Sequence, residues 1–165
     1  MQVKLSVNEV LVAGYVGMRR NAEASYKHRE MRFPERNVGE LWGNHIESAH
    51  AELVVSKALG IYWGFGVNTF HNPDIADTNL EVRWSSRDDV KIRPDDSGII
   101  VSVKGRCPDY EIMGWIYASE GQAEQFKYSK EPVCYFVPHK HLRPFHSLEA
   151  LLEKKKQERL NMEGK

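Results

Sequence analysis

The chain has 165 residues, 41% of them hydrophobic and 28% charged, which is the composition of one folded domain with a real core and excludes a disordered segment. Its 23 basic and 23 acidic residues cancel, so it is not coated in positive charge, although a local basic groove remains open to it. No apolar run approaches a membrane span, and "MQVKLSVNEV" lacks the basic start and long apolar stretch of a signal peptide.

"VKLSV" reads as a short first strand or an extended lead-in. Asn8 is positioned to cap a helix from about Glu9 to Lys27, with Val10, Ala13, Val16 and Gly17 on one side. The Arg-, Glu- and His-rich stretch from Tyr26 to Asn37 contains Pro34 and has poor periodicity, so it reads as a loop. A second helix is predicted from about Gly39 to Leu59, where Trp42, Ile46, Ala49 and Leu53 form an apolar stripe and Gly60 supplies a stop.

From Ile61 the texture changes to aromatic, β-branched and turn residues. "GVNTF", "LEVRW", "VKIR", "GIIVSVKG" and "YEIMGWIYA" read as strands, with turns at "DTN" and "RPDDSG". "ASEGQAEQF" holds a short helical turn, "VCYFVP" is a last strand, and Ser147 caps a final helix over about 147–160. The order is helices, an antiparallel meander, then a strand and a helix. Strict βαβα alternation is absent, as are GxGxxG and GxxxxGK[ST], which argues against a Rossmann sheet and a nucleotide site. Cys107 and Cys134 stand apart and read as reduced thiols of a cytoplasmic protein.

The chemistry concentrates in "HNPDIADTNLEVRWSS", residues 71–86. If Asp77 ends one strand and Glu81 lies in the next, the two carboxylates converge across a hairpin. Side chains alternate, so Glu81 and Arg83 share one face while Leu80 and Val82 enter the core. Two hard carboxylates with open positions suit Mg²⁺ or Mn²⁺, and a metal so held can bind a scissile phosphate and activate water. On their own, Asp74 and Asp77 also read as turn acids, and Glu81 and Arg83 as charges on an edge strand. His139, His141 and His146 form a second cluster, but no Cys or carboxylate of suitable spacing completes a metal set beside them.

These residues resemble the PD-(D/E)XK nuclease superfamily, whose fold is restriction-endonuclease-like. "Pro73-Asp74" is a literal PD, and "Glu81-Val82-Arg83" matches (D/E)-X-K with arginine in place of lysine. Glu52 in "AHAELVVSKALG" matches the glutamate that the superfamily often carries on a preceding helix. "LEVRW", "VKGRCPDYEIMGWIYA" and "YFVPHKHLRPFHSL" are similar to small phage and prophage members, across roughly Asn44 to Leu148.

The resemblance implies an α/β fold with a mixed sheet core flanked by helices, one domain over 1–165 with its core at about 39–148. It implies a metal-dependent nuclease acting on DNA phosphodiester bonds in a bacterial or phage-infected cell. Asp77 and Glu81 would bind the metal, with Asp74 the competing ligand. Glu52 would assist directly or through water, and Arg83, Arg87 and Lys104 would contact phosphate. Arginine is always protonated, so Arg83 cannot serve as the general base that the usual lysine can be. The alternative is a nuclease-like fold that no longer cuts and serves as a DNA- or protein-binding module. A homodimer is compatible with either reading.

Overall fold

A computed structural model describes residues 1–27, 37–67, 73–75, 78–128 and 131–163, without the side chains of 155, 156 and 159–163. The elements in order are β1 (Gln2–Lys4), α1 (Val7–Tyr26), α2 (Val38–Leu59), β2 (Leu80–Ser85), β3 (Asp89–Ile92), β4 (Ile99–Arg106), β5 (Asp109–Tyr117), α3 (Ala118–Gly121), β6 (Lys127–Tyr128), β7 (Cys134–Pro138) and α4 (Phe145–Glu163). The architecture is α/β, a central mixed sheet flanked by helices. No helix among the described residues is long and apolar enough to cross a membrane.

The α1 helix starts at Val7 because Ser6, not Asn8, caps it. Ser6 and Glu9 form a reciprocal capping box, in which Glu9 also satisfies the Ser6 N–H at 2.6 Å. Asn37 caps α2 by accepting from Glu40 N at 2.8 Å, and Gly60 ends it at φ 64°. A glycine suits that left-handed position because it carries no Cβ to clash. Ser147 does not begin α4, which starts two residues earlier at Phe145. Its Oγ instead accepts from Trp115 Nε1 at 2.9 Å and donates to Pro144 O at 2.7 Å.

The central sheet has the order β1-β5-β4-β2. The β4–β5 and β1–β5 pairs are antiparallel, but β2 and β4 are parallel. The expected meander is broken because β3 leaves for a second sheet of order β3-β7-β6. The expected hairpin at Asp77–Glu81 also lacks its first strand among the described residues, since Gly66 and Val67 are in no strand. The rest of "GVNTF", the 28–36 part of the predicted loop and Asp77 lie outside those residues.

Burial on both faces explains the run "IIVSV" in β4. Ile99, Val101 and Val103 join Leu80 and Val82 of β2 and Ala51, Val54 and Val55 of α2 in one core cluster. Ile100 instead packs with Ile116, Val90, Ile92 and Val137 against the second sheet. Helix α2 is likewise buried on two sides, with Ala49 and Leu53 meeting Ala13 and Val16 of α1. A fully buried strand reads as a continuous apolar run because neither of its faces meets water.

Candidate functional site

Strand β2 is the edge of the central sheet and carries the Glu-Val-Arg triplet. Parallel register pairs Glu81 with Ile100 and Arg83 with Ser102. Side chains of paired residues share a face, so Glu81 and Arg83 lie on the face covered by the second sheet. Leu80 and Val82 lie on the α2 face, and both are buried as expected.

Glu52 therefore stands across the sheet from Glu81. It is buried on α2, and its partner is Arg20 of α1, a residue not singled out from sequence. Arg20 donates two parallel bonds, Nη1 to Oε1 at 2.5 Å and Nη2 to Oε2 at 2.7 Å. Trp63 Nε1 adds a third donor at 3.1 Å, while Arg20 also anchors Gly66 O through Nε at 2.8 Å. Burial pushes the Glu52 carboxyl up to about 7, with Arg20 pulling it back and Asp74 adding to the rise.

Asp74 runs along the open edge of β2 between these two faces. Its N–H donates to Leu80 O at 3.2 Å, and its Oδ2 accepts from Val82 N at 2.7 Å. It thereby satisfies edge groups that a further strand would otherwise have to pair. Burial raises its carboxyl, opposed by Val82 N–H, Arg83 and Arg20. Burial likewise pushes Glu81 up to about 7, with Asp74 raising it further and Arg83 opposing.

Arg83 is held from two sides, by Glu81 Oε2 at 3.4 Å and Asp96 Oδ1 at 2.7 Å. Asp96 uses its other oxygen to accept from Arg93 N at 2.8 Å, so Arg83 also secures the turn between β3 and β4. Among the described residues, the buried Arg83 Nε has no hydrogen-bond partner. Arg87 pairs with Asp89 at 2.9 Å and lies 4.9 Å over the Phe136 ring, and Lys104 pairs with Asp88.

The expected Mg²⁺ or Mn²⁺ site is overturned. Among the described residues, no group of three or more His, Cys, Asp or Glu is placed to hold a metal ion. The reason is topological: Glu52, Asp74 and Glu81 are strung around a strand edge, and each already has a fixed donor. The histidines do not gather either. His139 turns inward to Ser102 Oγ at 3.0 Å, while His141 meets the Phe126 ring edge-on at 5.2 Å.

What the fold builds is a cleft of about 840 Å³ between α2 and the β2–β3 end. Glu40, Glu47 and Glu52 line it from the helix, and Arg83, Arg87, Lys91, Arg93 and Arg106 line it from the strands. Trp84 and Phe136 supply aromatic surface on the strand side. The helix wall is thus acidic and the strand side, although Asp89 also lines it, is mainly basic, a separation that cancels in a count of residues but not in space.

Glu47 heads a buried polar chain that sequence reasoning missed. Tyr110 donates to Glu47 Oε2 at 2.6 Å and lies 2.9 Å from His50 Nδ1, and His50 Nε2 lies 3.1 Å from Val10 O. A carbonyl can only accept, so Nε2 carries a hydrogen. The three residues form one hydrogen-bonded chain from the cleft to α1. The sequence signal was the Glu47–His50 spacing of three, which puts both on one side of a helix. Nothing local pointed to Tyr110, which is 60 residues from His50.

No family model, curated protein or solved structure matches the chain.

Proposed function

We propose that this chain is a nuclease-derived nucleic-acid-binding module that holds a DNA backbone in the α2/β2–β3 cleft without cutting it. The reading keeps the PD-(D/E)XK resemblance, carried by Pro73-Asp74, Glu52 and Glu81-Val82-Arg83, and a cytoplasmic setting. The observation that carries it is the basic wall: Arg87, Lys91, Arg93 and Arg106 line one side of a cleft that also offers Trp84 and Phe136. Cations that track phosphates beside aromatic faces are what single strands require.

The Arg87–Asp89 pair does not oppose this. The Arg87 side chain is 65% exposed, so a phosphate can approach its guanidinium from solvent while it stays beside Asp89. The commitment of the acids to Arg20, Arg83 and the β2 backbone supports binding without turnover.

Fluorescence anisotropy of labelled single-stranded and duplex DNA tests the proposal. With about three phosphates contacted, single-strand affinity should fall roughly 20-fold between about 50 and 200 mM salt. The double variant Arg87→Glu/Arg106→Glu should bind at least about tenfold more weakly, since two attractive contacts become repulsive. Absence of binding at the lower salt, or cutting of the strand when Mn²⁺ is added, would overturn it.

A further inference from the structure

Helix α1 is apolar on two opposite faces. Ala13 and Val16 are buried against α2, as a core-facing stripe must be. On the other side Val7, Leu11, Tyr15 and Met18 follow at spacings of four, four and three, which places them along one stripe of the helix. They are 76%, 65%, 59% and 42% exposed. Exposed apolar side chains gathered into one stripe mark an interaction surface.

The patch continues off the helix. Phe65 stands beside Leu11 and Tyr15 across a groove of about 400 Å³, and Tyr62 meets its ring edge-on at 5.8 Å. Phe65 adopts φ 53°, a left-handed conformation that costs a bulky residue energy. The fold thus holds a strained backbone at a residue that remains 41% exposed.

We propose that this face is an isologous interface at which two copies of the chain pair, α1 against α1. Three observations favour a second copy over another partner. The stripe is nearly neutral: Arg19, the charge lining the groove, is already paired with Glu23 at 3.0 Å on the same helix. A patch with no net sign offers an oppositely charged partner nothing, but it opposes itself without repulsion. The pattern is regular along one helix, which lets an antiparallel copy interdigitate ridge into groove. The area is sufficient, because the apolar residues of α1 with Tyr62 and Phe65 expose roughly 800 Å², about what one partner buries in a standard interface.

The interface lies on the far side of α1 from α2, so it does not involve the cleft. Sedimentation analysis of the full chain at about 100 µM, above the micromolar limit typical of such interfaces, should give a dimer. Leu11→Glu and Tyr15→Glu should each be monomeric at that concentration with an unchanged far-ultraviolet spectrum, because both positions are exposed within one copy. In a Cys107→Ser background, Tyr15→Cys should form a disulfide-linked dimer under mild oxidation. A wild type that is monomeric at about 100 µM overturns the proposal, as does a dimer that both glutamate variants leave intact.

Discussion

Glu52 and Glu81 are both acids in partly apolar surroundings, yet they respond to opposite needs. Among the described residues, Glu52 is held by the two-pronged Arg20 bond and by Trp63. Arg20→Ala should therefore destabilise the protein by about 3–5 kcal/mol in urea denaturation, because it strands a buried charge. Arg20→Lys should recover only part of this loss, since an ammonium cannot make the two-pronged bond. Glu81 is held up near 7 against an ordinary value of 4.5. The folded chain thus keeps a proton that the unfolded chain releases across that window. Its contribution to stability is full below about 4.5 and is lost as pH rises towards about 7. Glu81→Gln should flatten the decline of the melting temperature over that range. Part of the slope should remain, because Glu52 is raised in the same direction. That Glu52 has a place on a helix ahead of β2 was legible from the sequence. That its partner would be Arg20 was not, because 32 residues separate them.

At the scale of elements, α1 and α2 approach closely at one glycine. A Cβ on Gly17 would lie 2.5 Å from Ile46 Cα and 2.6 Å from His45 O. Both are backbone atoms, so relief requires α2 itself to move. Gly17→Ala should destabilise by about 1–3 kcal/mol despite alanine's better helix propensity. Gly43, on the same helix as Ile46, has nothing within 4 Å of its added Cβ. Gly43→Ala should stabilise by about 0.5–1 kcal/mol, and thermal melts of the two variants should move in opposite directions. The strands at "LEVRW", "VKIR", "GIIVSVKG", "YEIMGWIYA" and "VCYFVP" were legible because β-branched and aromatic runs bounded by turn residues suit a pleated surface. The helix starts were less so. Asn8 and Ser147 are both capping residues by type, but the Ser6–Glu9 box and the Trp115 bond decided otherwise.

At the scale of the whole molecule, the decisive feature is that β3 leaves the central sheet. β2 is left as an edge, Asp74 seals part of that edge, and the second sheet covers the Glu81–Arg83 face. The departure opens the cleft beside α2 and brings Arg87, Lys91 and Arg93 to its rim. The same assembly leaves Val7, Leu11, Tyr15 and Met18 exposed on the outer face of α1, so the cleft and the apolar stripe are separate surfaces of one molecule.

Local order in this protein is written in its sequence: the periods of its helices, the runs of its strands and the stop at Gly60 each follow from side-chain shape and backbone freedom over a few neighbouring residues. The alternation that puts Leu80 and Val82 inside and Glu81 and Arg83 opposite is equally local, and it holds. Tertiary structure alone decided which sheet face each of those pairs would meet, and with it the fate of the expected metal site. Period-2 alternation separates two faces but does not say what covers them. That depends on strand order and on contacts such as Arg20–Glu52 and Arg83–Asp96, whose energies are realised only once distant segments have been brought together.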